Sequence, residues 1–132
     1  LGGSMLRHSA PRLALVHSVQ RGELFSITLS GDRELMLLFS KAGSLRGGHA
    51  HDVPEAVMLL EGRMRYHKLD VTGKEQTEEL TAGDASSNPA GQVHMGEFLE
   101  DTWLIEWKIG TTAKGWRNIN YEPWRAKVRA SA

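Results

Sequence analysis

The stretch GSLRGGHAHDVPEAVMLLEG, residues 43–62, decides how the chain is read. It sets His49 and His51 one residue apart, Glu55 four residues further on, and a glycine at each end. On an extended strand side chains alternate between faces, so the two imidazoles project to one side with Cα atoms roughly 7 Å apart. At that separation they can lean toward one ion. Asp52, Val53 and Pro54 allow the chain to bend, and Glu55 can then enter the same site from the start of the next strand. Gly47 and Gly48 permit backbone conformations closed to other residues just before the histidines. Taken alone, a histidine pair on a strand is more often a surface or hydrogen-bonded feature than a metal site.

Outward from this stretch, apolar residues come in short runs separated by glycine, asparagine, aspartate and proline, the pattern of strands joined by turns. ELFSITLS leads through a turn at Ser30, Gly31 and Asp32 into ELMLLFS, whose unbroken apolar run suits a strand covered on both faces. EAVMLLEG reads as a buried strand ended by Gly62, and RMRYHKLD as its more exposed partner. A hairpin turn at Val71, Thr72 and Gly73 leads to the acidic strand EQTEELTAGD, and QVHMGEFL and TWLIEWKI follow. In the last, Trp103, Ile105, Trp107 and Ile109 share one face against Thr102, Leu104, Glu106 and Lys108 on the other. Roughly eight to ten short strands are expected, as in a sandwich or barrel. The tail from Thr111 to Ala132 is basic and aromatic; EPWRAKVR predicts a short helix with Pro123 in its first turn, its aromatics packed on the barrel.

The whole chain of 132 residues is the length of one domain with one continuous core. Sixteen Lys and Arg balance sixteen Asp and Glu, which leaves no field of one sign to attract nucleic acid or an anionic membrane. A small molecule or a second copy of the chain is the expected partner. The absence of cysteine excludes disulfides, thiolate zinc sites and cysteine nucleophiles, so any metal takes nitrogen and oxygen ligands. The apolar runs are too short to span a bilayer, and no signal-peptide pattern opens the chain. The expected location is the cytoplasm. Residues 1–4 read as a remnant of cloning ahead of Met5, with the domain over 5–132.

A second histidine-bearing segment, GDASSNPAGQVHMGEF, carries His94 after a turn at Pro89 and Gly91. Alternation puts His94, Gly96 and Phe98 on one face, with Gly96 expected to leave open volume beside His94 and Phe98 to give an apolar wall.

Together the two segments resemble the cupins. The first matches the first cupin motif, G-x5-H-x-H-x3-E-x6-G, at Gly43, His49, His51, Glu55 and Gly62. The second is similar to the second motif, G-x5-P-x-G-x2-H-x3-N, at Gly83, Pro89, Gly91 and His94, with Phe98 in place of the final asparagine. The resemblance spans residues 43–98 and implies an all-β double-stranded β-helix, a jelly-roll barrel, with a short C-terminal extension. It also implies one divalent metal inside the barrel, held by His49, His51, Glu55 and His94. Three imidazoles and a carboxylate leave about two open positions on an octahedral ion and suit Fe(II), Mn(II), Ni(II), Co(II) or Zn(II). His8, His17 and His67 fit no motif and read as surface or structural residues.

Met36, Leu38, Phe39, Met58, Leu60, Phe98, Trp103 and Trp107 are the expected core or pocket walls. Arg46, Arg63, Arg65, Tyr66 and Glu106 are the polar residues expected to approach a ligand. The resemblance implies a metal-dependent enzyme acting on a small oxygenated molecule as oxygenase, isomerase or lyase, or else a non-catalytic ligand-binding or sensor cupin. RGGHAH with HMGEFLEDTWLIEW is also similar to the cupin-like ketoisomerases of nucleotide-linked sugars, in which His49 and His51 would act as acid and base without metal. Against that, Glu55 stands where their pattern has glutamine. A homodimer, common in the family, is expected through strand exchange or sheet packing.

Overall fold

A computed structural model describes residues 11–30, 33–112 and 114–131. The proposed cloning remnant, His8, and Gly31 and Asp32 of the first turn lie outside the described residues. The described chain forms β1 (Arg12–Val19), β2 (Gly22–Thr28), β3 (Glu34–Ser40), β4 (Leu45–His51), β5 (Glu55–Glu61) and β6 (Arg63–Leu69). It continues through β7 (Glu75–Thr81), β8 (Ala85–Asn88), β9 (His94–Phe98), β10 (Thr102–Lys108), β11 (Asn118–Asn120) and helix α1 (Glu122–Ala130). Eleven strands form among the described residues, one above the expected range; β1, exposed along its whole length, and the three-residue β11 in the tail are not among those the sequence predicts.

The strands form two sheets, one in the order β1-β2-β3-β10-β5-β8 and the other β11-β4-β9-β6-β7. Every pairing is antiparallel. Neighbours such as β3 and β10, or β4 and β9, are remote in sequence, as in the jelly roll that the motifs imply. Alternation decides what lies between the sheets. On β6, Met64, Tyr66 and Lys68 point inward while Arg63 and Arg65 face outward. Met64 and Tyr66 meet Leu38, Val57, Leu59, Leu80, Phe98 and Leu104 in the main core. The β6–β7 hairpin is closed by Asp70, whose Oδ1 accepts from the Thr72 and Lys74 amides at 2.9 and 3.0 Å, a local bond that competes well with extended structure.

The tail folds as its composition predicts. Pro123 sits in the first turn of α1, Glu122 near the N-terminus, and Lys127 and Arg129 in the last turn, an arrangement matched to the helix dipole. Trp124 and Val128, four apart, share the buried stripe. They pack with Met95, Leu45, Leu69 and Val93 on the outer side of the β4–β9–β6 sheet. Ser131 Oγ accepts from the Leu45 amide at 3.0 Å. The tail is therefore clamped to the strand that carries two of the three motif histidines.

Candidate metal centre

Three residues along β4 separate Arg46 from His49, so simple alternation would place them on opposite faces. A bulge prevents this. The pairing with β9 sets Arg46 opposite Gly96 and Gly47 opposite Met95, then jumps to His49 opposite His94. Gly47 and Gly48 have φ of 94° and 77°, the left-handed region that glycine enters without steric cost. The extra residue brings Arg46, His49 and His51 to the same cavity between the sheets.

His94 reaches that cavity from β9 and Glu55 opens β5 beside it. The rings of His49, His51 and His94 form a triangle, with centroids 4.7, 4.9 and 5.1 Å apart. One donor atom from each of the three lies within 4.8 Å of the others. Glu55 is not one of that mutually close group but abuts it. Its Oε2 lies 3.0 Å from His51 Nε2 and accepts from Lys108 Nζ at 2.7 Å. Its Oε1 is 3.4 Å from His94 Nε2 and has no hydrogen bond.

These residues fit a divalent ion on two grounds. Glu55 Oε1 and His51 Nδ1 are buried without a partner; a buried acceptor left unpaired costs about 1–3 kcal/mol, which an ion bound to Oε1 would remove. Donors about 2.1 Å from one ion and at right angles to each other stand roughly 3 Å apart. Glu55 Oε1 keeps close to that spacing from His94 Nε2.

The electrostatics agree. Burial, reinforced by the neighbouring imidazoles, lowers the pKa of His49 to about 3, and burial lowers that of His94 to about 4. Both are neutral at neutral pH, as ligation requires. Burial pushes Glu55 up, but the hydrogen bond from His51 and the fields of His94 and Lys108 outweigh it and hold the carboxyl down to about 2. Glu106 goes the other way: burial first, then the charge of Glu55, raise it to about 7. Burial also drives the Tyr66 phenol well above its ordinary value; its oxygen accepts from Asn88 Nδ2 at 2.8 Å, so its own proton stays available.

The cavity measures about 450 Å³. Of the expected walls, Met36, Leu38 and Phe98 line it, as do the expected polar residues Arg46, Tyr66 and Glu106. Others are placed differently. Trp103 faces outward and stacks on Phe25 and Phe39 at 6.4 and 4.9 Å, while Thr102 and Leu104 on the same strand are buried inside. On β5 the inward residues are Val57 and Leu59; Met58 is half-buried and Leu60 is exposed. Trp107 borders a separate hollow with Leu35 and Ile109. The reason is that the inner face of a cavity-bearing barrel carries the polar residues, and the bulkier apolar face packs outside against a neighbouring strand. Arg63 and Arg65 are outside, paired with Glu100 and Glu79. Gly96 borders the cavity, but Met64 and Phe98 fill the volume beside it: an added Cβ would meet Met64 Sδ at 2.9 Å.

Several lining residues carry no motif signal: Lys108, Trp116, Arg21 and Arg125. Lys108 shares the alternating face of Leu104 and Glu106, which was the available clue. Trp116 sets its ring edge-on to His51 at 5.2 Å and under Lys108 Nζ at 4.0 Å, a cation–π contact supplied by the tail. His17, expected at the surface, is exposed and also borders the cavity. His67 bridges Glu75 and Glu97 at 2.8 and 2.9 Å and takes no part in the site.

The chain has the cupin fold. CapF from Staphylococcus aureus superposes with a TM-score of 0.66 at 21% identity, over 75% of this chain and 28% of that one. A deletion mutant of the oxalate decarboxylase OxdC from Bacillus subtilis gives 0.66 at 20% identity, over 91% and 32%. The Drosophila melanogaster CENP-C cupin domain gives 0.65 at 17% identity, over 76% and 80%. This chain thus spans under a third of the CapF and oxalate decarboxylase chains. No protein-family model and no curated protein matches the sequence. No helix among the described residues is long and apolar enough to cross a membrane.

Proposed function

We propose that the chain is a metal-dependent cupin enzyme of oxygenase, isomerase or lyase type, acting on a small oxygenated molecule at a divalent ion held by His49, His51, His94 and Glu55. The observation that carries this reading is the triangle of imidazoles on the wall of an open cavity, with an unpartnered carboxylate oxygen beside it. Bound there, the ion supplies a Lewis acid or redox partner with open positions for substrate.

The chain's own residues supply the rest. His49 and His94 keep their lone pairs free because burial holds them neutral. Lys108 engages Glu55 Oε2 and leaves Oε1 for the ion, an outer contact that orients a ligand. Glu106, lining the cavity with a pKa near 7, takes or gives a proton at working pH. Tyr66 remains a phenol and donates to a substrate oxygen. Phe98, Leu104 and Val57 exclude water from that end of the cavity. Among fold neighbours, the Bacillus subtilis oxalate decarboxylase has Mn(II) centres, and CapF has been solved with the inhibitor 3-isopropenyl-tropolone; both are consistent with this reading.

The hydrogen-bonded run Lys108–Glu55–His51 favours one second reading, in which His51 passes protons without metal. Metal analysis separates the two. Protein purified without chelator is expected to hold close to one divalent transition ion per chain, and His51→Ala to lose it while keeping its far-UV spectrum. Native and metal-soaked protein that both stay empty would replace the metal reading with the second.

A further inference from the structure

The same cavity is bordered by a second cluster that the metal chemistry leaves unused. Arg21, from the β1–β2 turn, Arg46, from β4, and Arg125, from α1, all border the cavity. None of the three makes an ion pair with a carboxylate among the described residues, whereas Arg63, Arg65, Arg117 and Arg129 all do. Their fixed contacts are to neutral oxygens. Arg46 donates through Nε to Ser40 Oγ at 2.8 Å and through one terminal nitrogen to the Phe39 carbonyl at 3.2 Å. Arg125 donates to the Gly47 carbonyl at 2.8 Å. The Nε atoms of Arg21 and Arg125 are buried without any acceptor.

Three guanidiniums around one cavity are costly unless something negative joins them. Burial, and after it Arg21, lowers the pKa of Arg46 to about 10; burial and then Arg125 lower that of Arg21; and burial followed by Arg46 and Arg21 lowers that of His17. Glu23 and Glu106 oppose this from a distance, but even with both ionised three positive charges face two negative ones. Guanidinium forks match oxyanions bidentately. Across the bulge Arg46 and His49 pair with Gly96 and His94, two residues apart on β9, or roughly 7 Å at about 3.3 Å per residue, a span that a short organic molecule covers.

We propose that Arg21, Arg46 and Arg125 form an oxyanion-binding pole, and that the substrate is a small molecule with a metal-chelating oxygen group at one end and a carboxylate or phosphoryl group at the other. The chelating end rests on the metal reading above; the anionic end stands without it. Placing the fixed charge at the arginines would present the opposite end of the molecule to the imidazoles, Glu106 and Tyr66. The pole also requires the tail, since Arg125 comes from α1.

The test uses the full chain stripped with chelator, so that no metal contributes. Inorganic phosphate, succinate, glutarate and the uncharged 1,4-butanediol are titrated by calorimetry, with thermal unfolding recorded in parallel. The anions are expected to bind and the diol not, and Arg21→Met and Arg125→Met each to weaken binding by about tenfold or more while retaining the native far-UV spectrum and cooperative unfolding. Arg46→Met is expected to do the same, and Arg46→Lys to restore part of the affinity if the buried truncation costs too much stability to read. Tighter binding of the dicarboxylates than of phosphate assigns a carboxylate, the reverse a phosphoryl group. Binding of none of the anions to folded protein, or equal binding by the arginine variants, overturns the pole. Because no metal is present, a protein that binds anions yet takes up no ion would leave the pole standing and remove only the metal reading.

Discussion

Replacing Gly48 by alanine tests the bulge on which the site depends, and Gly73→Ala supplies the control. Both glycines have left-handed φ, 77° and 83°. A side chain in that region costs about 1–2 kcal/mol, partly offset by about 0.4–1 kcal/mol from a stiffer unfolded chain. The surroundings differ. A Cβ at Gly73 meets nothing within 4 Å, whereas one at Gly48 would stand 2.9 Å from the Arg125 amide nitrogen and 3.0 Å from the Trp124 carbonyl carbon. Both atoms are helix backbone and cannot rotate away, so α1 must shift. That shift strains the hydrogen bond from the Tyr121 amide to Gly48, 2.9 Å long, and that from Arg125 to Gly47, each worth about 1 kcal/mol. It also loosens the buried Trp124. Gly48→Ala is therefore expected to cost about 2 kcal/mol more than Gly73→Ala, or a further fall in Tm of roughly 6–10 °C for a domain of this size. Thermal and urea unfolding followed by far-UV circular dichroism measure the difference, with metal content determined on the same samples. Equal stabilities within about 0.5 kcal/mol would refute the claim that α1 is seated on the bulge.

The pH dependence of metal-free protein has a defined sign. His49 and His94 bind protons less readily folded than unfolded, each adding stability with rising pH between about 4 and 6.5 at a limiting slope near 1.4 kcal/mol per unit, while Glu106, raised to about 7, opposes one of them between about 4.5 and 7, so the net stability still rises with pH by about one histidine's share. Glu55, held down to about 2, adds a further loss below its unfolded value near 4.5. Urea midpoints from pH 7.5 to 4 check this, and a flat profile would show that these histidines are not held neutral. Lys108→Met removes the cation from Glu55 and from the face of Trp116; breaking a buried pair on one side costs about 3–5 kcal/mol. Because a bound ion compensates the carboxylate that is left, the stabilisation by added Mn(II) or Ni(II) is expected to be larger in Lys108→Met than in the parent chain. An equal or smaller shift in Tm would place Glu55 outside the ion's reach.

Much of the fold was legible because the two motifs fix where strands turn and which residues face inward. The segments around β3, β5, β6, β9 and β10 could be delimited from apolar runs and turn residues, and α1 from its proline and its Trp124–Val128 stripe. The sequence reading went astray on β10. Alternation separated Trp103 and Trp107 from Leu104, Glu106 and Lys108, but apolarity alone chose the tryptophan face as the interior. In a barrel built around a polar cavity the inner face must carry the ionisable groups, and the tryptophans serve the outer side. Lys108 against Glu55 is a long-range contact, 53 residues apart, and no local pattern announces it. Arg21 reaches the cavity from the β1–β2 turn of the opposite sheet and Arg125 from α1 packed against β4, placements that topology decides and periodicity does not.

Trp116, Asn118, Asn120 and Arg125 reach the cavity from the appended tail rather than from the jelly roll's inner strands. The chamber is thus made of two parts with different freedoms: a floor whose geometry is tied to strand register, where an insertion would disturb folding, and a roof contributed by the tail, which is seated on the outside of one sheet. Evolution, or an engineer, could exchange that roof to admit a different guest while leaving the histidine-bearing floor untouched.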